Sequence, residues 1–483
     1  MSLPVINVEQ MREWERATWA SGQTEDEVIR RVGACVGRRA LELTRPGERV
    51  VILAGKGHNG EDARCAREHL AARSVDVLEV GDPAADISKL EALLSTPVAL
   101  VIDGLFGIGL NRPLSPEWVA FIERLNDQRA RVLAVDVPSG LDADSGQSQG
   151  AAVRAAVTLT VGAPKVGLLQ SHACPFVGRL EVASDVGLVP CPATSDVKWI
   201  VPEDFKGFPP LREVATHKGS YGHLAILAGS LGFHGAAVMS AKGAQRAQPG
   251  LITLYTLESV YYVVAPQLQS VMVSPWRPSA KLTALYDAVL IGPGLAATDV
   301  PDQLKMFTRH LWRDSETPMV VDASALDWVP LETPRRNAVR VITPHPGEAA
   351  RMVRGTSEQV QTNRVAALRN ISQRFGNSWV VLKGHQTLVG RSTGDVLVNS
   401  SGNPHLAQGG SGDVLSGFIT GLLAQPALQE DPLRALAYAV WQHGAAADRL
   451  QSMRAGWVIE DLIVELGRFK PGEQPFELSD SAR

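Results

Sequence analysis

Residues 407–417 read AQGGSGDVLSG. Gly409, Gly410 and Gly412 strip a turn of side chains, and Asp413 follows immediately, ahead of an apolar helical run. Glycine loses more freedom on folding than any other residue, so such a cluster suits a place where something must approach the backbone. A helix start leaves N–H groups without partners and carries positive potential, which suits a phosphate or a phosphoryl group in transfer. A carboxylate there repels a resting anion. It makes sense as a general base taking a proton from an attacking hydroxyl. Asp is also a good helix cap, which is the plainer reading of the same residue.

Three more segments of the second half carry reactive groups. Lys383–Thr387 (KGHQT: Lys383, Gly384, His385, Gln386, Thr387) offers a cation, a glycine and a hydroxyl after an apolar run. Thr343–Glu348 (TPHPGE) sets an imidazole, His345, between two prolines. Asp322 and Gly292-Pro293-Gly294 end two further apolar runs. Each alone reads as a tight turn, a surface lysine or a solvated histidine. Together, at strand ends of one domain, they point to a nucleotide-dependent site.

The elements that must position these groups follow a repeated pattern. Arg49–Ala54 (RVVILA) reads as a buried strand, followed by GKGHNG and the helical EDARCAREHLAAR. Val75–Val80, Ala99–Ile102 before Asp103, Arg131–Val135 before Asp136, and Val157–Val161 before GAPKVG are further strands. Buried strands alternating with helices predict a parallel sheet covered on both faces, with functional loops at the strands' carboxyl ends. Residues 188–215 are proline-rich and weakly periodic, and read as a linker into a second domain. The pattern then restarts. Strands are expected at His223–Ala228, Ile252–Tyr255, Ala288–Ile291, Met319–Val321, Val339–Ile342 and Trp379–Leu382, with a hairpin in GRSTGDVLVNS. Helices are expected after GSLGFHG, from Val414, and last at about Pro432–Leu450. The fold class is α/β with two three-layer domains.

Length and composition bound the function. A chain of 483 residues exceeds one ordinary core. With 45% hydrophobic and 20% charged residues it is a folded globular protein rather than a disordered one. A net charge of -4 provides no global field for nucleic acid. Cys35, Cys65, Cys174 and Cys191 form no CxxC pair, so neither a disulfide framework nor a zinc knuckle is expected. The N-terminal segment lacks the order of a signal peptide, and no apolar run is long enough to span a bilayer. A cytoplasmic protein without membrane or nucleic-acid partners is the expectation.

GHLAILAGSLGFHGAAVMSAKGAQRA, IGPGL, TPHPGEAARM, VVLKGHQTLV and NPHLAQGGSGDVLSG occur in that order over about 217–450. Together they resemble the ADP- or ATP-dependent NAD(P)H-hydrate dehydratases, a branch of the ribokinase-like superfamily. AGKGHNGED, VIDGLFGIGLNRPL, AVDVPSGLDADSG and GAPKVGLL resemble the Rossmann-like NAD(P)HX epimerase domain fused to the dehydratase in many bacteria. The resemblance implies an epimerase-like domain over 1–198 and a dehydratase domain over 199–483. It implies a substrate of NADH or NADPH hydrated on the nicotinamide ring, repaired with ADP (the usual choice of bacterial members) or ATP, with Mg2+ and K+ as cofactors. A homo-oligomer is implied as well. In the dehydratase, Asp413 matches the catalytic base, while Gly409, Gly410, Gly412 and the loop Lys383–Thr387 match the nucleotide site. Ala236, Gly294, His345 and Asp413 match the hydrated-cofactor side. In the epimerase, Asn59, Asp103 and Ser139 match a potassium site. Asp136 matches a substrate-contacting acid and is the candidate for acid/base work. His58, Asn59, Gly60, Glu61 and Asp62, with Gly107, Ile108, Gly109, Leu110, Asn111, Arg112 and Pro113, match the substrate site.

The sequence departs from the family pattern at several points. The epimerase loop, usually NNGGDG, is HNGEDA at 58–63. Glu61 thereby adds bulk and negative charge where substrate phosphates are expected, which weighs against epimerase activity. Lys56, where the family has proline, would offset that charge. Ala296 and His405 replace glycines on the dehydratase's substrate side. Two rival readings remain open. One is a ribokinase-type small-molecule kinase, which shares GGSGD but does not account for TPHPGE or the first half. The other is a non-catalytic nucleotide-binding or scaffold protein, with the first half an interaction module.

Overall fold

The computed structural model describes residues 2–128, 130–278, 285–335 and 338–468. Residues 469–483 of the expected second domain lie outside the described residues. The chain divides into two compact units, Leu3–Trp199 and a second beginning at Ile200.

In the first unit the strands are β1 (Leu3–Pro4), β2 (Arg49–Ala54), β3 (Ser74–Glu79), β4 (Leu100–Gly104), β5 (Arg131–Val135), β6 (Val157–Val161), β7 (Arg179–Ala183) and β8 (Val197–Trp199). The main sheet runs β3-β2-β4-β5-β6-β7 and is parallel throughout. Alternation explains the unbroken apolar run of β2. Val50 and Ile52 join one core with Trp14, Val32 and Val36, while Val51 and Leu53 join another with Leu90, Phe121 and Ile122. Both faces are therefore covered. The order is the flavodoxin-type variant of the doubly wound fold, whose switch point lies between β2 and β4. Two helices that the sequence reading does not anticipate, Val8–Ala20 and Glu25–Leu43, cover one face. Each opens on a capping box, Asn7 with Gln10 and Thr24 with Glu27.

The second unit contains β9 (His223–Leu227), β10 (Leu251–Thr256), β11 (Met272–Pro275), β12 (Ala288–Ile291), β13 (Met319–Val321), β14 (Arg340–Ile342), β15 (Trp379–Leu382), β16 (Leu388–Gly390) and β17 (Val396–Val398). Their order is β17-β16-β15-β14-β13-β12-β9-β10-β11. Strands β9 to β15 are parallel to their neighbours; β16 and β17 add an antiparallel hairpin. Helices His234–Arg246, Ser411–Leu423 and Pro432–Met453 share one core with β9, β10 and β12.

Two readings need correction. The stretch 188–215 is not a free linker: β8 lies in it, and Ile200, Phe205 and Phe208 are buried. The Phe205 ring sits 5.4 Å from Tyr438 and 5.5 Å from Trp441, so isolated aromatics anchor a segment that has no period. The helix from Pro432 is not the last, since Ile459–Glu465 follows it. Among the described residues no helix is long and apolar enough to cross a membrane. The four cysteines form no disulfide.

Candidate functional site

In the second unit, helix Ser411–Leu423 starts from Gly410, whose backbone is left-handed at φ 95° and which provides no side-chain cap. Only glycine takes that conformation without strain. A Cβ added to Gly409 would meet nothing within 4 Å, so the turn is open on that side. One added to Gly412 would stand 3.4 Å from the Lys383 ammonium, which therefore lies directly over the helix start. Asp413 occupies the first turn. Its carboxyl makes no hydrogen bond to the described residues, so it is not the helix cap.

Lys383 follows β15, and its Nζ lies 2.7 Å from Oδ1 of the buried Asp322, which follows β13. Burial pulls the Lys383 ammonium down, but the Asp322, Glu348 and Asp413 carboxylates outweigh it and hold the group above the ordinary lysine range. Asp413 responds in the opposite way. Burial, reinforced by the negative charge of Asp322 and Glu348 and opposed by Lys383, pushes its carboxyl up to about 7.

The neighbouring loops are built to hold still. Lys383 donates its backbone N–H to Pro344, joining KGHQT to TPHPGE. Gly384 and Gln386 take positive φ, 132° and 50°. The Thr387 hydroxyl turns inward to the Gly384 carbonyl at 3.0 Å. Arg364, first residue of helix Arg364–Arg374, donates to the carbonyls of Leu382, Lys383, His385 and Gln386. In the other loop His345 caps helix Pro346–Val353: Nδ1 accepts from Gly347 and Glu348, and its own N–H reaches the Glu348 carboxylate at 2.8 Å. Nδ1 is thus an unprotonated acceptor, with the ring half exposed. On the other flank Gly294 has φ 64°, and a Cβ there would clash with the Phe233 carbonyl at 2.5 Å and the Ala236 Cβ at 2.8 Å. Asp413, Lys383–Thr387 and His345 thus converge through Asp322 and Glu348, while Ala236 and Gly294 adjoin each other at the start of helix His234–Arg246.

His443 lies behind the glycine turn, buried in helix Pro432–Met453. Burial lowers its imidazole to about 4, so it is neutral and donates Nε2–H to the Ser411 carbonyl at 3.1 Å. Neither His443 nor Arg364 stands out in the sequence. Each acts on backbone carbonyls, which leave no residue-type signature.

In the first unit a cavity of about 940 Å3 opens at the switch point. Lys56, His58, Asn59 and Asp62, the whole loop Gly107–Pro113 and Asp136 line it, together with Arg12 and Glu15 from the first helix. The presumed loop at 58–63 is helical, since helix His58–Ala66 starts at His58. Gly60 and Glu61 consequently do not line the cavity. Gly60 is a packing glycine, where a Cβ would stand 2.1 Å from the Gly55 carbonyl, and Glu61 is exposed. The bulk expected of Glu61 against substrate is therefore absent from the pocket wall, and its charge is felt there only at a distance, at Asp62.

Asp103 is fully buried within β4 rather than after it. Its Oδ1 accepts from the Ser139 hydroxyl at 2.6 Å and its Oδ2 from the Ser139 N–H at 2.9 Å. Burial pushes it up to about 6 against those hydrogen bonds. Asn59 donates Nδ2–H to the Phe106 carbonyl at 2.9 Å, leaving its buried Oδ1 without a partner. Asp136, at φ 62°, accepts on Oδ1 from Lys165 Nζ at 2.6 Å, Thr160 Oγ1 at 3.1 Å and Val161 N–H at 3.0 Å. Lys165 is completely buried and its remaining protons go to Thr160 and Val161. The sequence reading does not single out Lys165, although GAPK already marks a strand-end loop.

A glycine-opened helix start under an ammonium, beside a carboxyl near neutrality, defines an α/β enzyme that handles phosphoryl groups. Comparison with known proteins narrows the class. The NAD(P)H-hydrate dehydratase family model matches residues 224–466, and the model for the YjeF-related protein N-terminus matches 79–167. The chain is 34% identical to the bifunctional NAD(P)H-hydrate repair enzyme Nnr of Gloeobacter violaceus, with 96% of each chain covered. It is 32% identical to the Nnr enzyme of Coxiella burnetii, covering 91% of this chain and 93% of that one. The crystal structure of ADP/ATP-dependent NAD(P)H-hydrate dehydratase from Bacillus subtilis, co-crystallised with ATP and Mg2+, is similar with a TM-score of 0.50 and 32% identity. That similarity covers 56% of this chain and 95% of the other. The chain belongs to the bifunctional NAD(P)H-hydrate repair enzymes.

Proposed function

We propose that the two units restore hydrated NADH and NADPH in two reactions. In the second unit Asp413 takes the proton from the ring hydroxyl of the S epimer as that oxygen attacks the terminal phosphoryl group of ADP or ATP. Phosphate then leaves with the C–O bonding pair, a ring proton is lost and the double bond returns. Hydroxide is a poor leaving group and phosphate a good one, which is what the nucleotide supplies. Lys383 and the N–H groups at Gly410–Gly412 stabilise the moving phosphoryl. Lys383–Thr387 holds the adenine nucleotide, and Ala236, Gly294 and His345 face the hydrated ring. The observation that carries this reading is the unpartnered Asp413 carboxyl in the first turn of a helix opened by left-handed Gly410.

The residues fit Mg2+ as a companion of the nucleotide. Asp322 and Glu348 are the carboxylates grouped with Lys383 and Asp413. Mg2+ is ordinarily held by one or two carboxylates plus substrate phosphates, and the described residues contain no group of three or more acidic, His or Cys ligands. Bound there, it would neutralise phosphate charge. The first unit fits K+. The partnerless Oδ1 of Asn59 and the buried Asp103 carboxylate, with no cationic side chain among its hydrogen-bond partners, are hard oxygen donors, and Ser139 joins them. Bound K+ would order the substrate loops electrostatically.

The first unit interconverts R and S hydrates, with Asp136 in the acid/base role and His58, Asn59, Asp62 and Gly107–Pro113 around the substrate. A cytoplasmic homo-oligomer is carried over from the family resemblance. The test is to give the chain hydrated NADH with ADP or ATP and follow NADH absorbance and free phosphate. Both should rise together. A stable phosphorylated product without recovered absorbance would replace this reading with a small-molecule kinase.

A further inference from the structure

We propose that Asp62 is the general acid of the first unit's reaction and that Asp136, held by Lys165, is the base that works with it. The inference rests on the epimerase reading and deepens it. Four carboxyl groups line the cavity: Glu15, Glu25, Asp62 and Asp136. Glu25 pairs with His58 at 3.2 Å. Asp136 is locked by Lys165, Thr160 and the Val161 N–H, all on Oδ1. Asp62 is only 8% exposed, yet it has no hydrogen bond or ion pair among the described residues.

A buried carboxyl with nothing to compensate its charge keeps its proton. The surroundings of Asp62 push the same way. Burial, then Asp136, Glu61 and Glu15, raise it well above the usual carboxylate range. The buried ammonium of Lys165 is engaged with Asp136, and Arg12, Lys56 and Arg112, which also line the cavity, make no ion pair with Asp62 among the described residues. Two carboxyl groups in one cavity, one clamped by a cation and the other left bare among acids, are the arrangement that separates acid from base.

The chemistry needs both. The hydroxyl of the hydrate sits on C6, beside ring nitrogen N1. Asp62 gives its proton to that oxygen. The C6–O bond breaks, water departs, and the N1 lone pair forms an N1=C6 double bond. A water then adds to the opposite face of C6, the π pair returns to N1, and the surplus proton goes to Asp136. Proton exchange with solvent resets the pair. Inversion at C6 is the net change, and no oxidant or reductant is required.

The experiment uses the full chain with the R epimer of hydrated NADH and no nucleotide, so the second unit is silent. Wild type should form the S epimer faster than the uncatalysed reaction; if it does not, the epimerase reading itself fails. Given that activity, Asp62→Asn should lower kcat by about 100-fold or more, leave KM within about threefold, and abolish the decline in rate at high pH that wild type shows. Wild-type kcat with an unchanged alkaline limb would overturn the assignment. In water enriched with oxygen-18, wild type should place one labelled oxygen on C6 per inversion. Inversion without label would overturn the mechanism whether or not the variant folds.

Discussion

Replacing Asp413 by Asn should destroy dehydration while stabilising the second unit, and the gain should depend on pH. The Asp413 carboxyl is raised from 3.8 to about 7 by burial and by Asp322. A group raised on folding contributes its full stability below its unfolded value, where both states hold the proton. Between about 4 and 7 the unfolded chain ionises while the folded chain retains the proton, and stability falls with each step. Above about 7 the loss is complete. Roughly three pH units at ~1.4 kcal/mol each give an upper bound of ~4 kcal/mol, and partial solvent access to the site reduces this to about 2–3 kcal/mol. Asn removes the charge and keeps the shape. Its unfolding temperature should match wild type near pH 4.5 and exceed it by on the order of 5 °C at pH 8. Scanning calorimetry of both chains across that range measures the difference. Turnover should fall by about 1,000-fold, the scale of a lost general base. In wild type, kcat/KM for dehydration should climb through about pH 7 as the base ionises. An equal stability gain at both pH values, or retained turnover, would refute the placement of this carboxyl and its role together.

Gly412→Ala places a methyl group 3.4 Å from the Lys383 ammonium, an ordinary contact, so the unfolding temperature should be unchanged. In the proposed mechanism the same methyl fills the gap for the phosphoryl group, and kcat should drop by about 100-fold, the scale of one lost oxyanion donor. Arg364→Met retains the apolar stem but releases three carbonyls of the KGHQT loop and that of Leu382 before it. Nucleotide KM should rise about tenfold with a smaller change in kcat; an unchanged KM would argue against that loop as the nucleotide site. Asn59→Leu removes the partnerless buried oxygen beside Asp103. Wild type should show a K+-dependent, Na+-insensitive increase in unfolding temperature, as any ligand selective for the folded state produces, and the variant should show none.

What was legible in the sequence follows from burial. Parallel strands covered on both faces appear as unbroken apolar runs, so β2, β5, β6, β12, β13 and β15 lie within the expected bounds. The loops at their carboxyl ends could then be placed before any contact was known. Edge strands β7 and β11 are half exposed, carry mixed residues and leave no such run. The start of helix His58–Ala66 was hidden because glycine and asparagine read as loop. Its consequence was large, since helical geometry turns Glu61 to solvent while Asp62 faces the cavity. Lys165 was hidden for another reason: a lysine acquires meaning only from the carboxylate it meets, and Asp136 lies on a different strand end. Arg364 and His443 bind carbonyl oxygens, which every residue has, so no pattern announces them.

The two units treat their key carboxyl groups in opposite ways, and the packing shows why both can persist. Asp136 is stabilised as an anion by a buried ammonium and two further donors. Asp413 has no donor and stays near neutrality only while water is kept from it. A helix free to slide would carry Asp413 outward, lower its pKa and weaken it as a base. Sliding is blocked at several points. A Cβ at Gly417 would lie 1.9 Å from the Ser240 carbonyl and one at Gly243 2.3 Å from that of Val414, so helices Ser411–Leu423 and His234–Arg246 are in backbone contact. His443 ties the Ser411 carbonyl from behind. An unfavourable ionisation survives where the surrounding structure over-determines the position of the group. In the proposed mechanism the glycines of VLSGFITG therefore serve the same end as those of AQGGSG: the latter would admit the phosphoryl group, and the former would keep Asp413 from relaxing away from it.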